Sequence, residues 1–432
     1  MLQIIKEANN FIWGLPLLFI LMDTHIYFTL KLHAPQRKIL YAIRLSLGME
    51  NTDNKNLSPF SALSTTLAAT LGTGNIIGVS TAVALGGPGA VFWCWITGIL
   101  GMATAYSECY LSVLFRSRQK DGTFVGGPMY VLQNGLHNNT LGSFYALCTL
   151  IAAFGIGSTT QSNSVTQAAY ASFHISPHIS GLILAFLTGC VILGGIKAIG
   201  SLCERVVPAI SFFYLFGCFL LLILYHRQLP AACIWILKDA FSITSIAGGF
   251  VGSTLQLALR YGIARGLFTN EAGIGTSAIA AAASGTYDPK IQAYVSMTAV
   301  FWDTVVMCLV TGLVIVSNML YDPASVQNIP ETALTAAAFA HLPYVGDAFL
   351  TISLAAFAIT TLIGWSYFGE KATEYLLGKK GIPYYKLLYV IMIYLGAIIP
   401  MRLVWECTDL INGLMVIPNI LALYFLRRHI KS

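Results

Sequence analysis

Apolar runs of about 20 residues, the length that crosses a bilayer as a helix, recur along the whole chain. Read by length and periodicity, they predict about eleven spans. These lie near residues 10–30, 58–86, 89–115, 142–171, 179–196, 202–225, 243–262, 291–318, 345–375, 383–400 and 403–426. The expected fold class is an all-α membrane protein. The run Phe11 to Leu30 reads as a retained span, because only Lys6, offset by Glu7, precedes it and no small-residue cleavage site follows. Between the first two spans, Gln36 to Leu45 is amphipathic and basic, the pattern of a helix lying among lipid headgroups.

Composition supports that class. The chain is 56% hydrophobic and 10% charged, whereas an ordinary soluble domain carries about 25% charged residues. The nine cysteines are scattered without a Cys-x-x-Cys pair, so they read as small apolar packers rather than as metal ligands or a disulfide framework. The net charge of +6 is a topology signal. With the amino terminus outside and the carboxyl terminus cytoplasmic, every Lys and Arg except Lys6, Arg227, Lys238 and Arg402 falls on the inner side. That distribution excludes a nucleic-acid footprint and predicts a multi-pass protein of the cell membrane.

Removing the first span leaves ten, which divide into two sets of five. The expected organisation is an extra helix plus the interfacial helix over 1–56, a first five-helix unit over 57–240, and a second over 241–432 that ends in a basic cytoplasmic tail. The second and seventh spans are then matching members, and glycines interrupt both: Gly72, Gly74 and Gly78 in one, Gly248, Gly249 and Gly252 in the other. Paired interruptions of this kind point to a transporter's binding site. Backbone that leaves the helical ladder at membrane depth is tolerated where it lines a cavity or binds something. Free amides at the start of the second half-helix suit a carboxylate, and free carbonyls at the end of the first suit a cation. Small residues four apart, such as Gly74 and Gly78, also fit simple close packing of helices.

Other classes lack their signatures. No His-Glu-x-x-His, no Gly-x-Ser-x-Gly turn and no cofactor fingerprint is present, so an enzyme is not expected. A channel would call for repeated filter segments.

Several stretches resemble the alanine or glycine:cation symporter family. They are TLGTGNIIGV from Thr70, ALGGPGA from Ala84, Asp121-Gly122-Thr123 with GGPMY from Gly126, RGLFTNEAGIG from Arg265, FWDT from Phe301 and GWSYFGEK from Gly364. The resemblance runs from about residue 57 to 377 in order. It implies a leucine-transporter-like fold of two inverted five-helix repeats, sodium coupling, no other cofactor, and a small neutral amino acid, alanine or glycine, as substrate. A proton-coupled carrier is the alternative reading, and a channel a more remote one.

Carried over by position, the resemblance makes the amides near Thr73 and Gly74 carboxylate binders, with Asn75 beside them. It makes the carbonyls of Ala68 and Leu71, with the Thr360 and Thr361 hydroxyls, a sodium site, and hard cations favour such oxygens; the same hydroxyls could bond back to their own helix. Gln161 and Asn163 are expected as polar walls of the pocket or as interhelical hydrogen-bonding groups. Gly249 and Phe250 are expected at the second interruption. Trp365 would be a lid limiting side-chain size, or else a lipid-facing residue. Departures fall at Thr276 to Ala281, which lacks the family's proline and histidine, and at Tyr106 and Ser107 before Glu108.

Ionisable residues in or near spans are Asp23, Glu108, Asp303 and Asp409, and such groups are costly unless paired or functional. Asp303 is the most central; it would be a cation relay or half of a hydrogen-bonded pair. Glu271 is expected in the cytoplasmic segment after span seven, paired with Arg260 or Arg265 and holding an inner gate. A monomer is expected.

Overall fold

The computed structural model describes residues 2–48, 56–242, 255–399 and 401–432. The chain there is almost wholly helical, with one short hairpin pairing Ser117–Arg118 with Phe124–Val125. Seven helices among the described residues are long and apolar enough to span a membrane: Gly89–Leu114, Asn139–Phe173, Gly195–Leu224, Pro289–Tyr321, Gly346–Leu377, Lys379–Ile398 and Cys407–Phe425. An eighth span is bent by 58° between Pro59–Thr70 and Thr73–Gly86. Pro177–Leu193 is a shorter apolar helix.

Local chemistry sets where these helices begin. Proline opens Pro59–Thr70, Pro177–Leu193 and Pro289–Val300, where its missing N–H costs nothing. The Ser58 hydroxyl caps the first of them by accepting from Ser61 N at 2.9 Å, and Asn138 accepts from Leu141 N at 2.9 Å. The first expected span is instead two helices, Leu2–Ile12 and Leu15–Lys31, separated at Trp13-Gly14. The basic segment forms a turn, Pro35–Lys38, and a helix, Ile39–Gly48. Its Lys38 donates to Tyr294 Oη at 3.1 Å, while Leu40 and Leu47 stay exposed.

Small residues let the helices meet closely. A Cβ on Gly262 would lie 2.6 Å from the Ala90 carbonyl oxygen, and one on Gly266 would lie 3.2 Å from that of Cys94. Helix Leu255–Asn270 therefore runs along Gly89–Leu114 through a ladder of glycines four apart. Gly364 meets the Ala69 backbone in the same way, with its would-be Cβ 2.7 Å from Ala69 N. This contact lays the Gly346–Leu377 helix against the first half of the bent span, one turn before the bend.

Two spans carry π-helical stretches of eight residues, Ala153–Thr160 and Phe301–Cys308. A π stretch widens the helix and leaves backbone carbonyls without their usual partners. One of these is used at once: Tyr389 Oη donates to Gly157 O at 3.0 Å and to Leu362 O at 2.8 Å. Both stretches lie beside the bend.

Candidate functional site at the broken span

The first half-helix stops at Leu71, which turns to extended backbone at φ −70° and ψ 92°. Gly72 is extended, Thr73–Asn75 forms a single tight turn, and a helix resumes at Ile77. The break is completely buried, with Thr73 and Asn75 both at 0% exposure. Its backbone groups must therefore find partners inside the protein. Gly72 N donates to Asn75 Oδ1 at 3.0 Å, and Thr73 N donates to Gln161 Oε1 at 3.3 Å. Gln161 Nε2 in turn donates to Ile156 O at 3.3 Å, a carbonyl within the π stretch.

On the other side of the break, Thr361 Oγ1 donates to the Leu71 carbonyl at 3.1 Å. Thr360 behaves differently, bonding back to Phe357 O at 2.8 Å within its own helix. Ala68 is fully buried one turn before Leu71. A carbonyl at a half-helix end and a hydroxyl from a second helix thus meet at Leu71 and Thr361, a donor set suited to a hard monovalent cation. Gly72 is confined between these partners: a Cβ there would lie 2.8 Å from Thr361 Oγ1 and 3.2 Å from Gln161 Oε1.

Asp303 lies on the second π stretch and holds Asn75. Asn75 Nδ2 donates to Asp303 Oδ1 at 2.7 Å and to its carbonyl at 3.1 Å. Thr304 Oγ1 donates to Asp303 Oδ2 at 2.7 Å, and the Thr304 and Thr269 hydroxyls lie 3.2 Å apart. Asp303 is therefore half of a hydrogen-bonded pair with Asn75, one of the two roles its position suggested. Gly74 packs on the same neighbourhood, its would-be Cβ 3.0 Å from Thr269 and 3.3 Å from the Phe268 ring.

Trp365 is completely buried, which excludes a lipid-facing place. It packs on Gly157 and stands edge-on to Phe368 at 5.5 Å. Three buried polar atoms in this region make no hydrogen bond: Thr73 Oγ1, Thr160 Oγ1 and Trp365 Nε1. Buried polar atoms are ordinarily paired, so these are available to a bound ligand. Asn163 is placed elsewhere. Its Nδ2 donates to Gly396 O at 2.9 Å and to Ile399 O at 2.6 Å, tying its helix to the end of Ile382–Ile398. Gly249 and Phe250, with Gly248 and Gly252, lie outside the described residues.

Among the described residues Glu271 forms no ion pair with either expected partner, Arg260 or Arg265. Helix Leu255–Asn270 continues past Arg265, and the Arg265 guanidinium lies 3.9 Å from Asp409 instead. Glu271 follows that helix in a left-handed turn at φ 56°, buried, and accepts a hydrogen bond from the Thr276 hydroxyl. Phe268, Thr269 and Thr304 were given no individual roles by sequence reasoning, although all three fall within the quoted motifs. The π stretches have no sequence signature that would have brought Asp303 to Asn75.

The sodium:alanine symporter family matches residues 1–432. The chain is 42% identical over 431 residues to the sodium/alanine symporter AgcS of Methanococcus maripaludis, covering 98% of this chain and 94% of that protein. It is 34% identical over 430 residues to the probable sodium/glutamine symporter GlnT of Bacillus subtilis, covering 99% and 88%. In fold it is similar to a Na+-coupled sialic acid symporter in a substrate-bound outward-open state, with a TM-score of 0.60 at 13% identity over 94% of this chain and 86% of that one. Matched by this family throughout its length and built of apolar spanning helices, the chain is a multi-pass membrane transporter and not an enzyme. The chain belongs to the sodium:alanine symporter family.

Proposed function

We propose that the chain imports alanine together with sodium by alternating access, with the broken span as the shared site. The Leu71 carbonyl and the Thr361 hydroxyl, 3.1 Å apart, carry this reading. Sodium binds there, with the Ala68 carbonyl and the Thr360 hydroxyl completing the site once Thr360 turns from its own helix. The substrate carboxylate takes the amides at Thr73 and Gly74, displacing Gln161 from its long 3.3 Å hydrogen bond. Sodium at Leu71 fixes the end of the first half-helix and so raises affinity at the amides two residues on. One charge moving down 100 mV supplies about 2.3 kcal/mol. With a tenfold sodium gradient worth about 1.4 kcal/mol, this supports accumulation of a few hundredfold.

Alanine and glycine are favoured over larger substrates by the bulk of Trp365 beside Gly157. The relative named as a glutamine symporter makes size selectivity the property to measure. The proposal includes two inverted five-helix repeats, over about 57–240 and 241–432, after the extra segment 1–56. It also includes an external amino terminus, a cytoplasmic carboxyl terminus and a monomer seated in the cell membrane. Uptake of radiolabelled alanine into proteoliposomes, with glycine, serine and glutamine as cold competitors, tests it. Saturable uptake that requires sodium and fails in potassium is expected; sodium-independent, non-saturating flux would overturn it.

A further inference from the structure

A second set of buried acidic groups lies where the chain unwinds between helices Leu255–Asn270 and Ser277–Ala282. The turn holds Glu271 at φ 56°, Gly273 at φ 97° and Gly275 at φ 91°. Glu108, from the Gly89–Leu114 helix, reaches it. Its Oε1 accepts from Gly273 N at 2.8 Å and from Asn419 Nδ2 at 2.6 Å. Asn419 Nδ2 also donates to Gly273 O at 2.9 Å. Glu108 is 2% exposed and Glu271 3%.

The other Glu108 oxygen, Oε2, is buried and makes no hydrogen bond. Glu271 stands two residues before Gly273, whose amide Glu108 Oε1 holds, so both acidic residues flank the same turn. Tyr145, whose hydroxyl is bonded to Ile274 O at 2.8 Å, has both within reach. No ion pair joins either carboxylate to a Lys or Arg among the described residues. Two carboxylates removed from water without a counter-charge are strongly unfavourable, and each makes the other's need for a positive charge greater.

We propose that Glu108 and Glu271 form a second monovalent-cation site in the unwound turn, separate from the Leu71–Thr361 pair. It rests on the symporter reading and adds a second ion to it. Glu108 Oε2 and the Glu271 carboxylate are its principal ligands, the oxygen donors that a hard cation prefers. Asp303 is within electrostatic reach of Glu271, and Asp303 holds Asn75 of the break.

Sodium and a proton share the required charge, and two measurements separate them. Equilibrium binding of radioactive sodium to the purified, folded protein reads sodium. Uptake of protons from solution on sodium-free addition of alanine, followed with a pH dye, reads the proton. If sodium occupies the site, the wild-type protein should bind about two sodium ions and Glu271→Gln and Glu108→Gln about one, with the Hill coefficient for sodium falling accordingly. Thr361→Ala, which leaves both carboxylates intact, should weaken one sodium-binding component about tenfold or more and leave the other at its wild-type affinity. If a proton occupies it, wild-type proton movement should disappear in both glutamine variants. Cys109, Tyr145, Asp303 and His25, the other titratable groups packed around the turn, are unchanged in these variants and serve as the internal control.

The proposal is overturned if the wild-type protein binds one sodium ion and moves no protons. It is equally overturned if the glutamine variants keep the wild-type stoichiometry. Should those variants fail to fold, Thr361→Ala decides: a sodium isotherm with one component unweakened supports the second site, and a single weakened component without proton movement overturns it. Absence of any sodium-dependent uptake by the wild-type protein would instead remove the proposed function itself.

Discussion

Thr361 Oγ1 donates to the Leu71 carbonyl at 3.1 Å across 290 positions of sequence. This bond joins the two helices on which sodium coupling is proposed to depend. Removing one oxygen ligand from an ion costs at least as much as a hydrogen bond to a charged group, about 1.5–3 kcal/mol. Thr361→Ala should therefore raise the half-saturating sodium concentration for alanine uptake by about tenfold or more. Thr361→Ser, which keeps the hydroxyl, should restore most of it. An unchanged sodium response in the alanine variant would leave the pair with a purely structural role.

Gly72→Ala tests the tightness of the break. The backbone there, at φ −139° and ψ −157°, accepts any residue, so the penalty comes from crowding alone. The added carbon would lie 2.8 Å from Thr361 Oγ1 and 3.2 Å from Gln161 Oε1. Overpacking of this kind costs about 1–3 kcal/mol, and here it falls first on the Thr361 hydroxyl that the proposed sodium site uses. Uptake should fall about tenfold while membrane insertion is retained. Gly48→Ala, with nothing within 4 Å of the new carbon, is the matched control and should transport normally.

The break itself was legible in the sequence. Glycines at 72, 74 and 78 mark it, and Thr73 and Asn75 between them favour a break over simple helix packing, which small residues alone would also fit. The meeting of Leu71 with Thr361 followed from family resemblance. Spacing alone could not have supplied it, since a contact across 290 positions depends on which helices pack together. The partner of Asn75 was hidden for a different reason. Asp303 sits on a π stretch, and no residue pattern announces that register. Arg265 was misassigned because the apolar run stops near residue 262, whereas the helix continues to Asn270 on packing contacts with Gly89–Leu114.

Trp365→Leu should change which substrates are accepted more than whether transport occurs. The indole fills space against Gly157 and Phe368 and is fully buried. Its replacement frees room for several methylene groups, each worth about 1–3 kcal/mol of discrimination. Competition by glutamine or leucine against labelled alanine should strengthen by about tenfold or more. If alanine uptake is lost and no larger amino acid competes, Trp365 supports the fold without bounding the pocket.

Exchanging the charge between Asn75 and Asp303 separates electrostatics from packing. Asn75 uses both ends of its amide, accepting from Gly72 N at 3.0 Å and donating to Asp303 Oδ1 at 2.7 Å. Asn75→Asp keeps the acceptor for Gly72 but sets a second carboxylate against the first, completely buried. An uncompensated buried charge costs about 3–5 kcal/mol, so this variant should lose thermal stability in detergent and transport poorly. Asp303→Asn removes the charge and keeps an acceptor for the Asn75 amide, so its loss should be smaller. The double variant Asn75→Asp/Asp303→Asn restores one carboxylate facing one amide with the donor direction reversed. It should be more stable than Asn75→Asp alone, with an interaction term of about 1–3 kcal/mol in the double-mutant cycle. Additive losses in the cycle would show that the two side chains act independently, and the link from the π stretch to the break would then rest on the backbone alone.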